Sequence, residues 1–514
     1  MALVGVPLHA AAQQAPVVQL SSLNGSNGFR LDGAAAGDLS GWSVGSGDFN
    51  GDGIRDLLVG AYFASPNGNQ SGSSFVMFGR STGYAPTTNL STLDGTTGFR
   101  LDGAAAGERS GWAVASAGDV NGDNIDDLII GAYQANSGRG SSYVVFGRST
   151  GFPAAIQLAS LNGSDGFRLD GTEMDEQSGR SVAGAGDING DGLDDVIIGA
   201  RFASPNGAAF AGNSYVVFGR STGFAPAIAL ASLNGTSGFR LEGIGEADRN
   251  GWAVSAAGDV NGDGFDDLIS SAVGSSVAGT NAGSCYVVFG RNSGFAAVIP
   301  VSALDGSNGF RLDGAAAGDF AGVSVAAAGD VNNDGIADLL IGSTGSDAGG
   351  MDAGRIHVVF GRTTGFPAAV DLGSTNGNDG FRVEGAAAMD VLGSAVSAAG
   401  DFNDDGIDDV LIAAAGADPN GASSGSSYLV FGRTGGFAPV FSASALDGSN
   451  GFRLDGVAAG DRAGRSMAAL GDINGDGVDD VIVSASNADS NGTDAGSSYV
   501  VFGTSPLFGD GFED

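Results

Sequence analysis

Apolar residues in this chain come in short bursts that return at one long interval. Each interval opens with a stretch such as SGWSVGSGD or AGVSVAAAGD, followed by a continuous apolar run, DLLVGA, DLIIGA or DVIIGA. A Gly/Ser/Asn-rich loop then leads to a second continuous run, SSYVVFG or SSYLVFG, and the interval closes on GFRLDG, whose Phe and Leu alternate with Arg and Asp. Short apolar runs bounded by turn residues read as strands. The continuous runs predict strands sandwiched on both faces, and the alternating one predicts a half-buried outer strand. Four strands per interval and seven intervals predict an all-β fold, a seven-bladed β-propeller of four-stranded antiparallel blades. The phase of the pattern predicts how the ring closes. An outer strand at residues 28–33 has no inner strands before it, and the run at 498–503 has no outer strand after it, so the N-terminal strand should complete the last blade.

The connection between the first two strands is an aspartate-rich loop written seven times, from GDFNGDGIRD to GDINGDGVDD. Position 1 is Asp48, Asp119, Asp187, Asp259, Asp330, Asp401 or Asp472, at successive separations of 71, 68, 72, 71, 71 and 71 residues. Units of so constant a period, with no linker between them, belong to one body rather than to the three or so domains that length alone suggests. Position 3 is Asn50, Asn121, Asn189, Asn261, Asn332, Asn403 or Asn474, and position 5 is Asp52, Asp123, Asp191, Asp263, Asp334, Asp405 or Asp476. Position 9 is Asp56, Asp127, Asp195, Asp267, Asp338, Asp409 or Asp480. With the backbone carbonyl of position 7 (Ile54, Ile125, Leu193, Phe265, Ile336, Ile407, Val478), these supply the oxygen-only donor set that a hard cation such as Ca²⁺ takes, up to seven ions in all. Position 6 must turn sharply and is Gly in six loops and Asn124 in the second. An EF-hand is excluded, because position 12 is Val59 or Ile130 where a bidentate Glu is needed and strands replace the flanking helices. Position 8, which varies to Arg55 and Ala337, reads as solvated.

Composition agrees with that reading. The formal charge is −36, and Asp at positions 1, 5 and 9 accounts for 21 of the 58 acidic residues, so seven divalent ions would bring the charge to about −22. Such a surface is a poor partner for nucleic acid. All 22 basic residues are arginine, and thirteen sit at two repeated positions, which marks them as scaffold. The single Cys285 has no partner for an internal disulfide. Calcium loops of modest affinity fill in a millimolar external pool, which points to a secreted or cell-surface location. The start, MALVGVPLHAAAQQA, resembles the tail of a secretory signal, with the mature chain beginning near Gln13. No later apolar run is long enough for a membrane span. The expected organisation is a signal remnant at 1–12, a lead-in at 13–27, the propeller at 28–503 and an acidic tail at 504–514.

The DxNxDGxxD hairpin loops, a following φφGA strand and a φφFG strand together resemble the FG-GAP repeats of the integrin α-subunit propeller and of bacterial integrin-α-like secreted proteins. The resemblance spans residues 28–503. It implies calcium in the loops on the lower face, and ligands approaching an upper face built from the loops joining strands two to three and four to one. The GAP tripeptide departs, reading Gly60-Ala61-Tyr62 and Gly199-Ala200-Arg201, and nothing corresponds to integrin leg domains or a membrane span, so heterodimer signalling is not implied.

Repeats disagree where a specific ligand could be read. The residue after the glycine that opens strand one is Trp42, Trp112, Arg180, Trp252, Val323, Ser394 or Arg465, near the mouth of the central channel and away from the calcium loops. Three indoles and two guanidiniums there could stack on a sugar, grip an acidic peptide, or pack between blades. Tyr62, Tyr133 and Phe202, with Phe63, Arg201 and Phe210, vary likewise in the loops between strands two and three and predict either an exposed contact surface or partial burial against neighbouring blades. Catalysis finds little support: His9 falls in the signal remnant, and His357 holds a strand position that is Tyr in five other repeats. The expected function is that of an adhesion or binding module for an extracellular protein or glycan. A calcium-assisted polysaccharide lyase and a passive matrix component are the alternatives.

Overall fold

The computed structural model describes residues 14–505 and holds seven five-stranded sheets, one per blade. The expected signal remnant, His9 and the tail from 506 onwards lie outside the described residues. In the blade that carries the first aspartate loop, Ser43–Gly47, Asp56–Ala61, Ser73–Met77 and Gly98–Asp102 pair antiparallel in that order. The innermost strand of every blade packs against those of both neighbours, and Met467–Gly471 returns to Ser43–Gly47, so the ring is closed. This is a seven-bladed β-propeller.

The continuous apolar runs are explained by what flanks each blade. Successive residues of a strand point to opposite faces, and each face of a blade is covered by another blade. Leu57 and Val59 pack with Phe29, Ile482 and Val500 of the preceding blade, whereas Leu58 and Val76 pack with Leu128 and Ile130 of the following one. Seven such clusters fill the seven gaps between blades. The core is therefore a ring of interfaces rather than one central mass.

Closure joins the two ends of the chain. Gly28–Asp32 pairs antiparallel with Ser497–Val501 and completes the last blade. A second closure lies within the stretch expected to be lead-in, where Val17–Gln19 pairs parallel with Gly451–Asp455. The latter pairing belongs to a fifth strand that recurs in every blade. Thr87–Asn89, Ala155–Gln157 and their equivalents add in parallel to the GFRLD strand of the blade before, so that strand is not the edge of its sheet. Its Phe and Leu are buried while its Arg is half-buried.

Both repeated arginines are scaffold. In the GFR strand, Arg30, Arg100, Arg168, Arg311 and Arg453 form two-pronged pairs with the Asp two residues on, the Nε contact being 2.5–2.7 Å. In the turn after the FG strand, Arg148, Arg220, Arg291, Arg362 and Arg433 lie 4.3–4.5 Å over the Phe four residues on. Phe152, Phe224, Phe366 and Phe437 then stack at 4.0–4.1 Å on the GFR phenylalanine, tying the turn to the sheet. No helix among the described residues is long and apolar enough to cross a membrane.

Candidate functional site

Each aspartate loop is wound around its first residue. The position-1 carboxylate accepts the N–H of position 5 at 2.9–3.1 Å through one oxygen and that of position 6 at 2.7–2.9 Å through the other, in all seven loops. The position-5 carboxylate takes the N–H of position 7 at 2.9–3.1 Å. The turn requires a left-handed residue at position 6, φ +84° at Gly53 and +63° at Asn124.

Position 9 has a structural duty that its place in the motif hides. All seven of these aspartates are fully buried. Each accepts, at 2.8–3.0 Å, the N–H of the glycine that ends the FG strand: Gly79, Gly147, Gly219, Gly290, Gly361, Gly432 or Gly503. Five also hold the N–H of position 2, as Asp127 does with Val120 at 3.1 Å. Burial, added to the negative charge of positions 1 and 5, pushes each of these carboxyls up to about 8 against the pull of its N–H donors.

The donor set suits a hard cation in type: three carboxylates, an amide oxygen and a backbone carbonyl per loop. At Asn50 and Asn403 the buried amide oxygen has no hydrogen-bond partner. The carboxylates are not held as a preformed cage, since among the described residues no three acidic, His or Cys side chains stand close enough to hold a metal together.

Position 8 is not solvated as its variability suggested. Asp126, Asp194, Asp266, Asp408 and Asp479 each reach the loop of the preceding blade and accept the N–H of its position 1 at 2.7–3.0 Å. The side chain is thus a strap between blades. At Ala337 the strap is missing, and Arg55 instead donates to Asp126 at 3.0 Å.

The opposite end of the innermost strands gathers the residues that vary. Trp42 and Trp112 meet at 4.8 Å between ring centroids, with Tyr62 at 4.7 Å from both and Tyr133 at 4.7 Å from Trp112. Arg465 lies 3.9 Å over Trp42, Arg180 4.1 Å over Trp112, and Arg201 4.3 Å over Trp252 and 4.7 Å over Phe202. All eight residues singled out for a ligand surface therefore fall in one arc around the channel mouth. Of the two readings for the loop aromatics, burial holds for Tyr62 and Tyr133, which lie beneath the arc because neighbouring tryptophans cover them, while Phe210 stands exposed. The indoles are half-buried and pack across blades.

Two more arginines join the arc: Arg109, which donates to the Tyr133 hydroxyl at 2.5 Å, and Arg249, 5.9 Å from the Trp252 ring. Both occupy a position that is left-handed in every blade, φ +51° to +63°, although never glycine: Leu39, Arg109, Gln177, Arg249, Phe320, Val391 and Arg462. That conformation costs about 1–2 kcal/mol per residue. Hydrogen bonds to the loop of the adjoining blade hold it, as from the Arg249 N–H to the Phe210 carbonyl at 3.0 Å. Its signal in the sequence is disagreement among repeats two residues before the strand-one glycine.

The profile of the FG-GAP repeat matches residues 40–77, 110–145, 178–217, 250–288, 321–359, 392–430 and 463–501, together more than half of the chain. Integrin alpha pat-2 of Caenorhabditis briggsae is 29% identical over 239 residues, which is 45% of this chain and 18% of that protein. Integrin alpha-V of Gallus gallus is 29% identical over 246 residues, 46% of this chain and 20% of the relative. Phosphatidylinositol-glycan-specific phospholipase D of Bos taurus is 31% identical over 188 residues, 34% of this chain and 21% of that enzyme. The chain thus matches about a fifth of the length of these relatives.

Proposed function

Because the chain belongs to the FG-GAP repeat family, related to integrin α subunits, we propose that it is a calcium-loaded extracellular propeller that binds a protein or glycan ligand through its upper face. One observation carries the reading: the seven repeats agree at the aspartate loops and disagree at the opposite mouth, where the disagreeing residues assemble into a single aromatic and basic arc. A scaffold needs sameness, and recognition of one ligand by a seven-fold body needs departure from it.

In the loops, positions 1, 3, 5, 7 and 9 would hold Ca²⁺, which when bound neutralises carboxylates that otherwise crowd one another. The residues do the rest without it. Position 1 shapes the turn, and position 9 ties the turn to the FG glycine. Calcium affinity should be read by calorimetry on the apo protein, and its effect on stability by thermal melting with and without EGTA. Ligand binding supplies stability by mass action, so a melt unmoved by chelator removes the calcium half of the proposal.

Binding is tested on an array of matrix proteins and glycans, again with and without chelator. Wild-type protein should retain at least one class of ligand, and Trp112→Ala should weaken it. Retention of full binding by that variant would place the ligand elsewhere. Turnover of an arrayed polysaccharide would favour the lyase alternative.

A further inference from the structure

The arginines outside the scaffold gather at the upper mouth, against the sign of the molecule as a whole. Of 22 arginines, thirteen are scaffold, which leaves nine, and six of those nine converge on this mouth: Arg109, Arg180, Arg201, Arg249, Arg462 and Arg465. Among the described residues none of the six forms an ion pair with a carboxylate. They act on one another instead. Burial, then Arg180 and Arg249, hold the Arg201 guanidinium down to about 9. Burial also lowers Arg465, with Arg180 and Arg462 adding to the effect. Like charges gathered in a partly desolvated ring, inside a protein of net charge −36, are unfavourable unless an anion completes them.

The stacking geometry decides what remains free. Each of the three indoles already carries a guanidinium over its ring, at 3.9–4.3 Å, so the flat faces that a sugar ring would use are occupied. A stacked guanidinium still presents its N–H edges, and the buried Nε donors of Arg201 and Arg249 have no partner. The rim adds apolar surface on the adjoining loops. Phe210 stands 51% exposed against Phe202 at 5.5 Å, Ile244 is 51% exposed and Met174 68%. A polysaccharide would leave these side chains uncovered, whereas a polypeptide has carboxylates and apolar groups on one strand.

We propose that the upper mouth is a receptor for an acidic polypeptide segment, its carboxylates on the N–H edges of the arginine arc and its apolar side chains on the Phe210 rim. This rests on the reading of the upper face as the ligand face and narrows it to one chemistry.

The chain has only three tryptophans, and all three lie in the arc, so tryptophan emission, excited selectively over that of the eight tyrosines, reports on this site alone. In the calcium-supplemented full chain, iodide should quench that emission more steeply than caesium, despite the negative net charge. A titration then compares a short peptide alternating aspartate and phenylalanine, the same peptide with asparagine for aspartate, and polygalacturonate. The acidic peptide should shift the emission, with the asparagine version at least about tenfold weaker and polygalacturonate failing to compete. Arg201→Gln should weaken the acidic peptide about tenfold. Arg462→Gln, at an exposed position, should weaken it less and serves if the first variant does not fold. Steeper quenching by caesium, equal affinity for both peptides, or displacement by polygalacturonate each overturns the proposal. Equal affinity still leaves an upper ligand face standing, while silence of the indoles to every probe removes both readings.

Discussion

Asp127 shows how one side chain can serve two purposes that sequence alone merges into one. As position 9 of its loop it is a candidate metal donor, yet it is buried and holds the N–H groups of Val120 and Gly147. Asp127→Ala strands both donors, at about 1–3 kcal/mol each. The loss, read by urea unfolding, should be about 3 kcal/mol or more with calcium and should persist in EGTA. A loss confined to calcium-loaded protein would mean that the residue acts only through metal. His357 carries a second residue-scale prediction. Burial, then the charges of Arg355 and Arg382, hold its imidazole down to about 3, against about 6.5 in the unfolded chain. Between those values the unfolded chain takes up a proton that the folded chain refuses, so stability is full above about pH 6.5 and falls as pH is lowered towards 3. His357→Tyr, the residue of five other blades, should flatten that acid slope without altering stability above pH 7. An unchanged slope would assign the acid loss to other groups.

At the scale of the element, the seven loops act as a chain of straps as well as seven turns. Where position 8 is Asp, its carboxylate grips the loop of the preceding blade, and where it is Ala337 the N–H of Asp259 has no such partner. Ala337→Asp should supply the missing hydrogen bond and stabilise the protein by about 1 kcal/mol, while Asp194→Ala should cost at least as much. Melting temperatures of the two variants moving in the same direction would sink the strap. The strap also marks what the sequence could not convey. Strands two and three were legible because a blade is sandwiched, so Leu57, Leu58 and Val59 must all be apolar. The loops were legible because Gly53 and its equivalents obey backbone sterics. The fifth strands, only three residues long with no alternation, carried no readable signal, and they cover what looked like an outer edge. Position 8 misled because its partner lies about one repeat away, at a separation no local pattern reveals. The upper arc was half legible: its members could be found by their disagreement, but the stacking of arginine over each indole is a product of ring closure.

The ring is closed by strand pairing rather than by continuity of the chain, and this makes one of its seven blades unlike the rest. At the seam, Gly28–Asp32 comes from the start of the described chain and docks onto Ser497–Val501 near its end. Phe29 is fully buried there and stacks on Tyr84 at 4.2 Å, as Phe310 stacks on Phe366 at 4.0 Å in an interior blade. Local chemistry is nearly the same, so truncation to Ala should cost each site about 3–5 kcal/mol. The consequences should differ. At Phe310 the weakened strand is held by chain continuity on both sides, and the loss should appear in the global unfolding transition. At Phe29 the strand can leave with the lead-in while the other interfaces persist, which is a sub-global opening. Amide exchange should therefore lose protection selectively at residues 497–501 in Phe29→Ala, whereas Phe310→Ala should not show the same selectivity at residues 284–288. Uniform loss in both variants would mean that the ring unfolds as one unit, with the pairing at the seam no weaker than that within any other blade.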